Sequence, residues 1–255
     1  MDDGNNSDFS GRVMEARLAI AFLTRLPLAG DSKPEPGALA RAAWAFPLAG
    51  VLVGAVGAIV LTAGDRLGLP ILASALLVVT ATIVVTGALH EDGLADFADG
   101  LGGGDATRSL AIMRDSRIGT FGVLALVLDI GLRAAALAAL PDTRFAAGAL
   151  ISAHALSRGL LPAIMVSLDP ARSDGLGVEA GRPSPAVAGI AGAIGLVVAL
   201  LALHAGRGLV AVLLAALAMA ALALLARRRL GGYTGDVLGA AQQVGEIVML
   251  LVATL

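Results

Sequence analysis

Residues 186–204 read AVAGIAGAIGLVVALLALH, a stretch with no Asp, Glu, Lys or Arg. A membrane-spanning α-helix needs about 20 consecutive, mostly apolar residues to cross the hydrocarbon core of a bilayer. A second run of the same kind, GLVAVLLAALAMAALALLA, follows at 208–226. Two such runs predict helices that cross a membrane rather than the core of a soluble domain.

The composition of the whole chain supports a membrane protein. Hydrophobic residues make up 57% of the sequence and charged residues 15%, whereas soluble domains average about 45–50% and about 25%. The net charge of −2 gives no basic signature for nucleic acid, so no nucleic-acid partner is expected. Cysteine is absent, which excludes disulfides, zinc–thiolate sites and a cysteine nucleophile and leaves carboxylates and histidine as metal ligands.

The sequence predicts an all-α fold, a polytopic transmembrane helix bundle that forms one integral membrane domain over 1–255. A cytoplasmic N-terminal segment, 1–43, precedes the first span. It contains an interfacial helix at 11–26, whose Arg12, Arg17 and Arg25 can bind lipid phosphate; a partly disordered leader is the alternative. About seven spans are expected, at 44–64, 71–90, 119–140, 146–168, 186–204, 208–226 and 237–255.

The distribution of Lys and Arg predicts the orientation, because cytoplasmic loops carry an excess of both. Fourteen basic residues fall with the N-terminus and around the loops 91–118, 169–185 and 227–236, which are therefore assigned to the cytoplasm. The opposite side carries only Arg66, Arg144 and Arg207. The polar residues suited to chemistry lie on the cytoplasmic side. This asymmetry argues against a transporter, whose polar groups usually lie near the bilayer midplane.

An acidic stretch follows the second span: residues 90–104 read HEDGLADFADGLGGG. On a helix, Asp92, Asp96 and Asp99 point within roughly 60° of each other. Like charges this close repel unless a cation lies among them, and Mg²⁺ prefers carboxylates that it shares with a substrate phosphate. The predicted metal ligands are Asp92, Asp96, Asp99 and the adjacent Glu91, and the three aspartates are also candidate catalytic residues. The alternative is a solvated acidic helix end, although no Lys or Arg is interleaved across 90–107.

Two neighbouring features can bind phosphate. Gly102 and Gly103 allow backbone N–H groups to approach a phosphate closely. Arginine binds phosphate oxygens through two parallel hydrogen bonds, so the following segment predicts a phosphate clamp with Arg117 as a catalytic group; an ordinary positively charged flank is equally compatible. Together these features make 91–118 the predicted cytoplasmic catalytic loop. The clamp residues are Arg114, Asp115, Ser116 and Arg117.

Charged residues and histidine inside the spans are expected to have either a structural role or a role in substrate binding. Asp129 and Arg133 are four residues apart in the third span, where pairing on one helix lowers the cost of burial. In the fourth span, His154 is deep enough to be a core histidine, while Arg158 lies toward the cytoplasmic end and is a candidate substrate-binding residue.

The last span carries polar residues that share one face of its helix, Asp236, Gln243 and Glu246. A glutamate facing lipid is costly, so this face is expected to line the interior of the bundle, where holding helices together and lining a pocket are equally compatible roles. Asp236, at the cytoplasmic end of the span, is a further candidate for substrate binding.

These motifs together resemble the cobalamin synthase family. The resemblance is carried by TGALHEDGLAD at 86–96, ADGLGG at 98–103 and MRDSRIGTFG at 113–122. Glu91 stands where the family often has Asp, a departure that keeps the charge. Further pieces in family order are FLTRLP at 22–27, FPLAG at 46–50 and GDVLGA at 235–240.

The resemblance implies an enzyme of the last stage of coenzyme B12 synthesis, an adenosylcobinamide-GDP ribazoletransferase. Such an enzyme transfers the adenosylcobinamide phosphate moiety from adenosylcobinamide-GDP to α-ribazole or α-ribazole 5′-phosphate and releases GMP. The family is magnesium-dependent and resides in the cytoplasmic membrane of prokaryotes, which agrees with an active site facing the cytoplasm. Contacts with membrane lipid are expected, and a homo-oligomer is compatible with the sequence.

The runner-up is a CDP-alcohol phosphotransferase, another membrane enzyme. Residues 96–100, DFADG, match the opening of its motif, but Gly103 and Gly104 stand where Ala-Arg is required. Arg117 and Phe121 occupy the positions of its later aspartates. A transporter is the less favoured alternative.

Overall fold

The computed structural model describes residues 3–28 and 35–255, with the side chains of 3–9, 176 and 205 left undescribed. Residues 1–2 and 29–34, which belong to the predicted N-terminal segment 1–43, lie outside the described residues. Within the described part the chain forms α-helices and two short 3₁₀ turns without a β-strand, which confirms the all-α prediction. The helices are α1 (Asp3–Leu23), α2 (Ala38–Ala42), α3 (Phe46–Arg66), α4 (Ile71–Thr86), α5 (Leu89–Gly100), α6 (Ala106–Ile112), α7 (Thr120–Ala139), α8 (Thr143–Ser167), α9 (Leu176–Glu179), α10 (Pro185–Leu203), α11 (Ala205–Leu230) and α12 (Gly235–Ala253).

Six helical stretches of the described chain are long and apolar enough to cross a membrane, and α4 with α5 makes a seventh if the pair counts as one span. That pair is bent by 93°, so the helix over the predicted span 71–90 is broken after Thr86 rather than continuous. The bend forms because Gly87 and Ala88 both adopt left-handed backbone angles, with φ of 66° and 59°. A side chain on Gly87 would overlap the guanidinium of Arg25.

Small residues bring the spanning helices into close contact. On α3, a Cβ added to Gly54 would lie 2.6 Å from Ile151 Cα on α8, and one added to Gly50 would overlap the carbonyl of His154. On the other side of α8, a Cβ on Gly195 of α10 would lie 3.0 Å from Leu156 Cα. Helix α8 is therefore held between α3 and α10 by close packing, as expected where lipid gives no hydrophobic drive for association.

Reporter fusions test the orientation that the basic residues predict. A fusion after residue 105 should report the cytoplasm, and a fusion after residue 142 should report the opposite side, because α7 separates the two positions. The measurement compares a reporter active only in the cytoplasm with one active only outside it. An external signal at 105 would contradict both the topology and the placement of the site described next.

Candidate active site

Two glycines bring α5 and α12 together. A Cβ on Gly93 would lie 3.0 Å from Asp236 Cα, and one on Gly239 would lie 3.1 Å from the carbonyl oxygen of His90. The two glycines also face each other, since the Cβ of either would be 3.2 Å from the Cα of the other. This crossing places the acidic stretch of α5 beside Asp236, although about 140 residues separate them in sequence.

A pocket lies at this crossing and is lined by both polar and apolar groups. Asp92, Asp236 and Arg172 supply charged groups, and the stacked rings of Phe22 and Phe46, with centroids 6.4 Å apart, supply apolar surface. Such a pocket suits a ligand that carries both phosphate and a flat ring. The remaining lining residues are Leu23, Leu89, His90, Leu161, Met165, Gly177, Ala180, Gly235, Leu238 and Gly239.

Arg172 reaches the pocket because its loop is fixed to the segment before α12. Ala171 N donates to the Tyr233 carbonyl at 2.8 Å, and Tyr233 N donates to the Asp169 carbonyl at 3.0 Å. Arg172 then donates to Asp236 Oδ2 at 3.4 Å, and both side chains are mostly buried. The sequence analysis did not identify Arg172 or His90 as site residues, because neither stands in a phosphate-binding motif.

The acidic stretch of α5 divides into two groups. Asp92 and Asp96 accept no hydrogen bond from the described residues, and Asp96 is close enough to Asp92 and Asp236 for their negative charges to act on it. Glu91 instead accepts from Arg133, and Asp99 accepts from the backbone of α7. No group of three or more described His, Asp or Glu side chains is arranged to hold a metal ion. The structure therefore departs from the predicted four-carboxylate ligand set.

Two carboxylates nevertheless fit a magnesium ion. Mg²⁺ is usually held by one or two carboxylates, with substrate phosphate and water completing its shell. Asp92 and Asp96 have free oxygens, and Arg172 lies nearby for the phosphate. The donor chemistry of this pair is consistent with an ion that binds together with a phosphorylated substrate.

Asp99 caps the N-terminus of α7. Its two carboxylate oxygens accept from Gly119 N at 2.7 Å and from Gly122 N at 2.8 Å. A Cβ on Gly119 would lie 2.5 Å from Asp99 Oδ1, so the glycine is needed for the carboxylate to approach the backbone. A negative charge here also interacts favourably with the helix dipole. In this structure Asp99 has a structural partner on both oxygens, in contrast to its predicted catalytic and metal-binding role.

Asp99→Asn should lower the stability of the protein. An asparagine can accept one of the two N–H groups, but its NH₂ then faces the other donor, and a lost charge-assisted bond costs about 1.5–3 kcal/mol. Thermal unfolding in detergent measures the effect. Asp105→Asn is the matched control, since Asp105 caps α6 by accepting from Arg108 N and Asn caps as well as Asp. An Asp99→Asn variant that melts like wild type but is inactive would contradict the structural role and support the predicted catalytic role of Asp99.

The predicted phosphate clamp already contains two ion pairs. Arg114 pairs with Asp174, in the loop that carries Arg172. Arg117 donates to both oxygens of Asp115, at 3.0 Å from Nε and 2.6 Å from Nη2. These hydrogen bonds lower the pKa of Asp115 to about 2, so the pair stays charged at neutral pH. Arg114, Ser116 and Arg117 are exposed, and none of them lines the pocket.

Gly102 and Gly103 have packing partners rather than an open face. A Cβ on Gly103 would lie 2.5 Å from Ser109 Oγ, which indicates that the glycine allows the turn after α5 to pack on α6. A Cβ on Gly102 would touch the ring of Phe121 at 3.4 Å. Close packing therefore accounts for Gly103 without a bound phosphate.

Arg133 is the centre of a buried polar cluster below the pocket. Its guanidinium lies 3.0 Å from Glu91 Oε1, 3.2 Å from Asp129 Oδ2 and 2.9 Å from Glu246 Oε1. It also donates to Gln243 and to Thr82. The predicted pairing of Asp129 with Arg133 is confirmed, and α12 does turn its polar face inward. One arginine thus connects α4, α5, α7 and α12.

Arg158 belongs to the same interior. It is 1% exposed and donates to the carbonyl of His154 at 3.2 Å, while His154 Nδ1 lies 2.9 Å from Glu246 Oε2. The prediction that His154 is a core residue is confirmed. Arg158, the predicted substrate-binding residue of this span, does not line the pocket, because it lies within α8 rather than at its end.

Comparison with known proteins identifies the family of this chain. A family model described as cobalamin-5-phosphate synthase matches residues 15–254. The chain belongs to the cobalamin-5-phosphate synthase family. The region that matches the family contains the whole pocket and the whole cluster around Arg133.

Two similar bacterial proteins share one name. A protein of Bradyrhizobium diazoefficiens named adenosylcobinamide-GDP ribazoletransferase is 53% identical over 243 residues, which are 94% of this chain and 93% of the relative. A protein of the same name from Mesorhizobium japonicum is 49% identical over 241 residues, 94% of this chain and 92% of the relative. No solved structure matches the chain.

Proposed function

We propose that this chain is a membrane-bound, magnesium-dependent transferase that makes adenosylcobalamin or its 5′-phosphate. It transfers the adenosylcobinamide phosphate moiety from adenosylcobinamide-GDP to α-ribazole or α-ribazole 5′-phosphate and releases GMP. The observation that carries the proposal is the pocket of Asp92, Arg172 and Asp236, which lies wholly within the part of the chain that matches the family. The basic residues of the loops support a site that faces the cytoplasm across the inner membrane.

The reaction is a displacement at phosphorus. A ribazole hydroxyl attacks the phosphorus that bears the cobinamide arm, the bond from that phosphorus to the GMP oxygen breaks, and the hydroxyl proton passes to a base in the pocket. Phosphoryl transfer depends mostly on positioning and on neutralising negative charge. Magnesium, held by Asp92 and Asp96, would supply that neutralisation. Arg172 binds the remaining phosphate oxygens, and the apolar surface of Phe22 and Phe46 accepts a ring of the substrate.

Product analysis tests the proposal. Purified protein in detergent with Mg²⁺ should release GMP only when adenosylcobinamide-GDP and a ribazole substrate are both present, and EDTA should stop the release. CMP release from a CDP-alcohol and an alcohol acceptor, without GMP release, would overturn the assignment in favour of a CDP-alcohol phosphotransferase.

Arg117→Lys should slow turnover more than Arg108→Lys does. During turnover we expect the planar fork of Arg117, which binds Asp115 in this structure, to bind a substrate phosphate instead. Lysine keeps the positive charge but loses the fork. Steady-state rates at saturating substrate measure the difference. Small, equal effects of the two substitutions would show that Arg117 pairs with Asp115 without acting on the substrate.

A further inference from the structure

A second concave surface lies between α8 and α11, on the outside of the bundle. It shares no lining residue with the pocket at Asp92. Its sides carry small and apolar residues such as Ala163, Ala220 and Leu224, all of which are exposed. Among the described residues that line it, Arg227 is the only charged one. The surface is therefore an apolar groove with one cationic end.

The length of the groove matches one leaflet of a bilayer. It follows α11 from Ala216 to Arg227, eleven steps along the helix that rise about 16 Å at 1.5 Å per residue. The hydrocarbon core of a bilayer is about 30 Å thick, so one leaflet is about 15 Å. Because the groove ends at the basic terminus of α11, it lies in the leaflet that the charge distribution predicts to be cytoplasmic. The exposed alanines leave room beside the helices for an extended hydrocarbon chain.

The charge at the open end of the groove is uncompensated. Arg227, Arg228 and Arg229 are all exposed, and no described carboxylate forms an ion pair with any of them. Arg114, Arg117 and Arg172, by contrast, each pair with an aspartate. Three adjacent cations at the membrane surface attract the anionic lipids of the cytoplasmic leaflet, and arginine binds phosphate oxygens with charge-assisted hydrogen bonds.

We propose that this groove is a binding site for one anionic phospholipid. An acyl chain lies along the alanine side of α11, and the lipid phosphate binds Arg227. Neighbouring Arg228 and Arg229 give a preference for a headgroup with net negative charge. A phospholipid fits better than a second copy of the chain, since the groove offers no carboxylate to pair with the arginines of a partner helix.

Native mass spectrometry of the full-length protein tests the proposal, with phosphatidylglycerol or phosphatidylcholine added in detergent. We expect one phosphatidylglycerol molecule to be retained in preference to phosphatidylcholine. Arg227→Gln should weaken that retention about tenfold or more. Arg207→Gln is the charge-matched control at the other end of α11 and should leave retention unchanged. Equal retention of the two lipids, or an Arg227→Gln variant that binds like wild type, would overturn the proposal.

A steric pair of variants tests the groove independently of charge. Ala220→Phe fills the groove, while Ala221→Phe places the same ring on an exposed position of α11 that does not line it. Only Ala220→Phe should lose the bound lipid, with both variants eluting as the wild type does on size exclusion. If Ala220→Phe instead changes the oligomeric state and leaves lipid retention intact, the groove is a protein interface and the proposal is wrong.

Discussion

Arg133→Met should prevent the protein from folding stably in detergent. The substitution leaves Glu91, Asp129 and Glu246 buried without their shared cation, and breaking a buried ion pair by removing one partner costs about 3–5 kcal/mol. Because methionine has a similar length and keeps the packing volume, the loss of stability measures the effect of removing the positive charge. Fluorescence-detected size exclusion and thermal unfolding measure the fraction of folded protein.

Two further variants separate the charge of Arg133 from other effects. Arg207→Met removes an arginine that is exposed and stacks on Phe145 at 5.3 Å, so it should melt close to wild type. Combining Arg133→Met with Glu246→Gln and Glu91→Gln should recover part of the stability, because fewer uncompensated charges remain. A single Arg133→Met variant that melts with the wild type would contradict the electrostatic role of the cluster.

Asp92→Asn should abolish turnover while leaving the fold intact. Asp92 lines the pocket, is exposed and accepts no hydrogen bond from the described residues, so its charge does not contribute to packing. Asparagine keeps the shape but loses the charge that a magnesium ion needs. We expect the rate to fall about 100-fold or more, with partial recovery at raised Mg²⁺ concentration.

Glu179→Gln provides the control for Asp92→Asn. Glu179 is an exposed carboxylate on α9, outside the pocket lining, so its neutralisation should leave both the rate and the magnesium dependence unchanged. Thermal unfolding of both variants should match the wild type. Wild-type turnover by Asp92→Asn at low Mg²⁺ would show that the acidic stretch of α5 is only solvated.

The spans could be predicted from sequence because hydropathy is a local property of about 20 residues. The bend between α4 and α5 could not, since Gly87 and Ala88 follow an apolar run and the space beside Gly87 is filled by Arg25 from another segment. The pairing of Asp129 with Arg133 was predictable for the opposite reason: both residues lie on one helix, about one turn apart.

The site was predictable in part. The sequence identified Asp92 and Asp236 as site residues, and the structure brings them into one pocket. The sequence could not show that Asp99 caps α7, because the two backbone amides that donate to its carboxylate lie 20 and 23 residues away. Glu91 and Arg172 have partners still further away in sequence, so helical periodicity alone did not separate their roles from those of their neighbours.

The cluster around Arg133 also sets an order of assembly. When α7 enters the membrane during synthesis, Arg133 has a carboxylate on its own helix in Asp129, and the two can insert as a neutral pair. Glu246 arrives only with α12, which also supplies Asp236 to the pocket. Insertion of α12 therefore supplies the last partners of Arg133, Gln243 and Glu246, in the same step as the Asp236 wall of the pocket, and a nascent chain that stops before α12 lacks both.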